Sequence, residues 1–162
     1  LEEDPEMRAG QAAELLATAV ESDPYNASAR LALAGLLKQS GQSEKAITVL
    51  KELTETRTGS NSPVAFMELA TTLREVGRDE ESLSMLQKAS ELAQGFDMQN
   101  YMIHMQAKQT FEEMEKPDLA AREQEWMDEF MSQQSSGMGG VQPIQVGGGD
   151  SSESGGEDTD GE

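Results

Sequence analysis

The chain contains no cysteine and only one histidine among its 162 residues. The lack of cysteine excludes disulfides, thiol nucleophiles and metal sites with cysteine ligands. His104 has no second histidine with which to form a zinc site and no partners in sequence typical of a catalytic triad. We therefore interpret His104 as a structural or solvent-facing residue, and we expect no metal and no other cofactor.

Basic residues are scarce as well, with 12 lysines and arginines against 31 acidic residues, for a formal charge of -19. Such a chain is repelled by nucleic acids and by anionic membrane surfaces, so neither is an expected partner. No apolar run approaches the roughly 20 residues that span a bilayer, which predicts a soluble protein. The sequence leaves the cellular compartment open, with the cytoplasm favoured. Because residue 1 is Leu, we expect a fragment or a processed product.

Motifs of enzymes are also lacking. The sequence has no Gly-rich phosphate loop between a strand and a helix, and no serine in the setting of a nucleophile elbow. Carboxylates are plentiful, but general acid-base catalysis needs two carboxyl groups with different pKa values. An exposed acidic face does not create that difference. The sequence therefore predicts a protein that is not an enzyme.

Composition divides the chain into two parts. Residues 132–162 hold nine of the 15 glycines, six serines, six acidic residues and no basic residue. Such a segment buries too little apolar surface to offset the entropy lost on ordering it. We predict a disordered Gly/Ser/acidic tail over 132–162 and a single domain over 1–131 that carries a net charge of -13.

The positions of proline and glycine in the domain are typical of a helical protein. Pro5, Pro24, Pro63 and Pro117 stand where helices would begin. Asp4, Asp23 and Ser62 precede three of them as expected N-caps, while Gly41, Gly77 and Gly95 suit helix ends or turns. Together with apolar positions at helical spacing, this predicts an all-α fold with seven helices at 5–22, 25–40, 43–57, 63–76, 79–94, 97–115 and 117–131.

A repeat appears when the sequence is compared with itself at an offset of 36 residues. Leucines, small residues and turn glycines then coincide without gaps. The corresponding pairs are Leu33 with Leu69, Ala34 with Ala70, Leu37 with Leu73, Gly41 with Gly77, Ala46 with Ser82, Ile47 with Leu83, and Leu50 with Leu86. The pattern indicates a duplicated helix-turn-helix unit, with small residues where paired helices approach closely.

At these residues the chain resembles the tetratricopeptide repeat (TPR) family, whose 34-residue unit is a helix pair. Residues 27–60 and 63–96 fit two full units, and residues 5–22 resemble the second helix of a unit that lacks its first. Residues 97–131 have no turn glycine and resemble a divergent terminal pair. The resemblance implies an α-solenoid with a concave groove.

The resemblance also implies that the first helix of each pair lines a groove that binds a peptide or partner surface. The corresponding positions are Ser28, Leu31, Gly35, Lys38 and Gln39 in one unit, and Val64, Met67, Thr71, Arg74 and Glu75 in the next. Lys38 and Arg74 share one repeat position, so they form either an anion site or two ordinary solvated cations near helix ends. The carboxylate clamp of chaperone-binding members is essentially absent, because Leu31, Gly35 and Glu68 occupy its positions.

The last two helices are rich in methionine and aromatic residues. These residues are Phe96, Met98, Tyr101, Met102, Met105, Phe111, Met114, Trp126, Met127, Phe130 and Met131. A methionine-rich face can be an adaptable binding surface, but we expect most of these residues to pack in the core. Trp126 and Phe130 form one stripe that either docks into another protein or caps the solenoid.

Three functions remain open at this point. The favoured one is a protein-interaction adaptor or scaffold that holds a peptide in its groove. The alternatives are a structural segment of a larger protein that packs or self-associates, and a regulatory domain attached to an enzyme. In each case the expected partner is a protein or peptide.

Overall fold

A computed structural model describes residues 4–138, and in this range the chain is all-α, as predicted. The seven α-helices are α1 (Pro5–Ser22), α2 (Ala27–Gln39), α3 (Ser43–Glu55), α4 (Pro63–Glu75), α5 (Asp79–Leu92), α6 (Met98–Glu113) and α7 (Pro117–Met138), and a 3-10 turn (Gly59–Asn61) precedes α4. Each helix packs against the next one along the chain, which produces antiparallel pairs stacked in a row.

Capping side chains fix where several helices begin. The Asp4 carboxylate accepts a hydrogen bond from the Glu6 amide, and the Ser62 hydroxyl accepts one from the Ala65 amide, so these two predicted caps are confirmed. The prediction that Asp23 caps α2 is wrong. Asp23 instead ends α1, with its amide donating to the Ala19 carbonyl. The side chain of Asn26 caps α2, and Pro24 lies in the turn between the two helices.

The turns within all three helix pairs have the same geometry. Gly41 and Gly77 adopt positive φ angles of 72° and 77°, as their type permits, and Glu115 adopts 55° at the corresponding place between α6 and α7. After each of these residues the next amide donates to the carbonyl five residues back along the chain, for example from Lys116 to the Phe111 carbonyl at 2.8 Å. The last pair, which the sequence sets apart as divergent because its turn lacks glycine, therefore has the same turn geometry as the other two.

Glycine at position 115 is expected to stabilise the protein. A residue with a Cβ atom pays roughly 1–2 kcal/mol to enter the left-handed region. Part of this gain is lost because glycine makes the unfolded chain more flexible. We expect Glu115→Gly to raise the free energy of unfolding by about 1 kcal/mol in urea titrations. The control Glu112→Gly, in the last turn of α6, should lower it instead, because glycine is a poor helix former and Glu112 does not need its backbone freedom. A loss of stability in both variants would contradict the proposed backbone strain at Glu115.

Small residues hold the paired helices close together. Ala34 and Ala70 are buried, as the repeat predicts, and so are their counterparts Ala46 and Ser82. The Ser82 hydroxyl donates to the Ala70 carbonyl at 2.7 Å, so a polar side chain is satisfied inside the core. Leucines fill the space between pairs, with Leu50 and Leu86 almost completely buried.

Gly59 makes the junction between α3 and α4 possible. A Cβ atom at this position would lie 1.8 Å from the Leu53 carbonyl oxygen, so only glycine fits without a backbone shift. The Thr56 hydroxyl donates to that same carbonyl and accepts from the Gly59 amide, which fixes the turn. The two extra residues between the two units are thus taken up by the 3-10 turn (Gly59–Asn61).

The final helix continues beyond the end that composition predicts. Residues 132–138, which the sequence assigns to the tail, extend α7, and residues 132–137 are exposed. The hydroxyls of Ser135 and Ser136 donate to the Ser132 carbonyl within the helix. The remainder of the predicted tail, 139–162, lies outside the described residues. The division into a domain and a tail thus stays a proposal, with its boundary moved to residue 138 or later.

Candidate functional site

One face of the structure is formed by the first helix of each pair. On this face α2 contacts α4, and α4 in turn contacts α6. We call the exposed side of α2, α4 and α6 the inner face, because the resemblance assigns the groove to these helices. Most of the candidate groove residues predicted from the sequence lie on it.

The two predicted cations of the inner face are each paired with carboxylates of the next inner-face helix, α4 for Lys38 and α6 for Arg74. The ammonium of Lys38 lies 3.2 Å from Glu75 and 3.9 Å from Glu68, and the guanidinium of Arg74 lies 2.5 Å from Glu113. The hydrogen bond from Arg74, assisted by Gln109, lowers the pKa of Glu113. An acidic ligand would have to displace these carboxylates, so the two cations do not form an open anion site.

The other groove candidates differ widely in exposure. Ser28, Gln39 and Glu75 are exposed, while Leu31, Gly35, Val64 and Thr71 are half-buried. Met67 is buried in the core cluster that contains Ile103 and Phe111. The prediction that Met67 faces a ligand is therefore wrong, because the third helix pair contributes to the cluster that covers it.

A polar cavity of about 210 Å³ lies between α4 and α6 on the inner face. Its lining includes Thr71 and Arg74 of α4, and Gln106, Gln109 and Glu113 of α6. The Gln106 amide donates to the Thr71 hydroxyl at 3.5 Å across it. The cavity therefore offers hydrogen-bonding groups that are already partly engaged with one another.

An exposed methionine stripe lies on α6, where the sequence favours core packing over a binding surface. Met98, Met102 and Met105 recur at intervals of four and three residues, which places them on one side of the helix. Their side chains are 64%, 50% and 40% exposed. The expectation that most of these soft and aromatic residues are core is thus only half right. Phe111 and Phe130 are buried, whereas this stripe, Phe96 and Met131 are exposed.

The aromatic residues of α7 pack inward. The Trp126 ring stacks on Phe96, His104 and Phe130, with ring centroids 5.3, 3.8 and 5.7 Å apart respectively. Phe130 also contacts Tyr101, with centroids 4.9 Å apart. The Trp126–Phe130 stripe therefore caps the solenoid rather than presenting itself to another protein.

A buried polar cluster joins α5, α6 and α7 beside these rings. His104 Nδ1 lies 2.5 Å from one oxygen of Glu123, and His104 Nε2 lies 2.8 Å from the Ala93 carbonyl. The Ser90 hydroxyl donates to the other Glu123 oxygen at 2.7 Å. Because the Ala93 carbonyl only accepts, Nε2 carries a proton, and a further proton lies between Nδ1 and the carboxylate.

The burial and hydrogen bonds of the cluster favour the structural interpretation of His104 over the solvent-facing one. The Ser90 hydroxyl donates to the carboxylate and not to the imidazole, so the three side chains do not form the serine–imidazole–carboxylate order of a catalytic triad. Both His104 and Glu123 are more than nine-tenths buried. Over residues 4–138 there is no group of three or more metal-ligating side chains, and no helix there is long and apolar enough to cross a membrane.

Comparisons with known proteins agree with this architecture. Residues 6–65 match the family model described as tetratricopeptide repeat. The crystal structure of MamA has the same fold, with a TM-score of 0.58 at 18% sequence identity over 75% of this chain and 68% of MamA. No curated protein matches the chain. The family match thus assigns the tetratricopeptide repeat pattern to residues 6–65, and the likeness to MamA extends the fold alone to the helix pairs beyond them.

Proposed function

We propose that this repeat module binds a helical segment of another protein across its inner face, with the methionine stripe of α6 as the main apolar contact. The observation that carries the proposal is the exposure of Met98, Met102 and Met105 on a helix whose opposite side is buried. Flexible methionine side chains adapt to different apolar partners. The role is binding without catalysis.

The charge of the chain supports a basic partner. The formal charge is -19, and the two inner-face cations Lys38 and Arg74 are already paired with carboxylates. A partner with lysines or arginines beside its apolar stripe gains from this field during association. Affinity should accordingly fall as salt rises.

Site-specific crosslinking identifies the partner and the surface together. A benzophenone amino acid at position 102 should crosslink one partner in cells that produce the full chain. The same group at Glu125, which is exposed on α7, should not. A crosslink to a second copy of the chain would favour self-association instead.

Substitution of the stripe then measures its contribution. We expect Met98→Ser, Met102→Ser and Met105→Ser together to weaken binding of that partner about tenfold or more, because apolar contact is lost. The control carries Met7→Ser and Met131→Ser, two methionines that are more exposed than Met102 and Met105 but lie outside the inner face. Equal binding by the two variants would overturn the proposed site.

A further inference from the structure

A second, apolar pocket lies away from the inner face, between α1 and α3. Its volume is about 420 Å³, and its lining is more apolar than polar. Leu33 and Leu37 of α2 and Val49 of α3 contribute apolar side chains, while Gly10, Ala13 and Ala17 line the side formed by α1. We call this space the α1–α3 pocket.

The repeat explains why the pocket is there. At a spacing of 34 residues, Gly10, Ala13 and Ala17 of α1 correspond to Glu44, Ile47 and Lys51 of α3. These three larger residues close the equivalent space between α3 and α5. Ile47 is buried, while Glu44 pairs with Arg78 at 3.5 Å and Lys51 pairs with Glu81 at 3.1 Å. The α1–α3 pocket thus lies at the equivalent position of the solenoid, and it is open because α1 carries smaller side chains there than α3 does.

The charge at the rim of the α1–α3 pocket is opposite to the charge at the equivalent place between α3 and α5. Lys45 of the α1–α3 pocket corresponds to Glu81, whose pKa is lowered to about 2 by hydrogen bonds from Arg78 and then Lys51. The Lys45 ammonium donates to the Gln42 side chain at 2.6 Å, and no carboxylate of residues 4–138 lies within 4.0 Å of it. Glu14 is on the α1 side of the pocket. An anion therefore fits beside Lys45 and is disfavoured beside Glu14.

We propose that the α1–α3 pocket is a second docking site, which takes a peptide segment bearing a branched aliphatic side chain next to a carboxylate. The aliphatic group occupies the space that Ile47 fills in the next repeat. The carboxylate pairs with Lys45, on the side of the pocket formed by α3. This site is separate from the inner face and does not depend on the function proposed above.

Subtractive peptide display tests the site directly. A library of random 12-residue peptides is selected on the full chain, and binders of the Ala13→Ile variant are removed at each round. Because Ala13→Ile leaves the inner face unchanged, the subtraction eliminates inner-face binders. We expect the survivors to share an aliphatic residue beside Asp or Glu. No survivors, or survivors without that pair, would overturn the proposal.

One surviving peptide is then synthesised for affinity measurements. Ala13→Ile and Lys45→Glu should each weaken its binding by about tenfold to a hundredfold, the equivalent of losing one buried side chain. Ala19→Ile, the same change at an exposed position of α1, should leave it unchanged. If Ala13→Ile fails to fold, the double variant Ala17→Lys/Lys45→Glu replaces it, because it installs the pair that closes the next repeat. Retained affinity in the folded closing variant would exclude the pocket.

Discussion

Replacement of Glu123 by alanine is expected to lower the free energy of unfolding by about 3–5 kcal/mol. The substitution removes the acceptor of the Ser90 hydroxyl and the partner of His104 Nδ1, both inside the protein. Each buried group left unpaired carries its full desolvation cost. Because the cluster joins α5, α6 and α7, we expect the third helix pair to loosen first.

Urea unfolding followed by circular dichroism measures this loss. Glu125→Ala, at an exposed position of the same helix, serves as the control and should stay within about 0.5 kcal/mol of the parent. Glu123→Gln keeps one oxygen acceptor and should lose less than Glu123→Ala. Similar stabilities for Glu123→Ala and Glu125→Ala would show that the buried cluster contributes nothing.

The second large effect is expected from leucine at the close contact within a helix pair. Ala70→Leu adds bulk at a fully packed position and strains the hydrogen bond from Ser82 to the Ala70 carbonyl. Overpacking of this kind costs about 1–3 kcal/mol. Ala34→Leu should cost a similar amount at the equivalent place in the preceding pair.

Thermal and urea unfolding of these variants test the repeat register. The matched control is Ala32→Leu, which makes the same change at an exposed position of α2. It should change stability by no more than about 0.5 kcal/mol. If Ala34→Leu and Ala70→Leu were tolerated as well as this control, the assignment of both residues to the closest helix contact would be wrong.

Most of the fold could be predicted because its signals are local. Proline and a capping side chain fix the beginnings of α1 and α4, and Gly41 and Gly77 fix two turns through their backbone freedom. The sequence places a connection between residues 115 and 117, but it does not reveal the left-handed geometry of that turn because Glu115 is an unusual residue type there. Composition places the end of α7 too early, because a segment rich in serine and glycine disfavours a helix without excluding one.

The candidate sites depended on contacts that a single sequence does not reveal. Lys38 and Arg74 were placed at equivalent positions, but their pairing with Glu75 and Glu113 depends on the spacing of neighbouring helices. Glu123 lies 33 residues from Ser90 in sequence, and no motif connects them. The α1–α3 pocket arises from side-chain volumes, which become informative only when α1 is compared with α3 in the repeat register.

The open space beside α1 also bears on how this protein unfolds. In a stacked array each helix pair is stabilised mainly by its immediate neighbours, so local opening begins where an interface is weakest. The α3–α5 interface is closed by Ile47 and two ion pairs, whereas α1 offers glycine and alanine at the same three positions. Fraying should therefore start at α1 and proceed inward. A ligand that fills the space would protect the amides of α1 from hydrogen exchange.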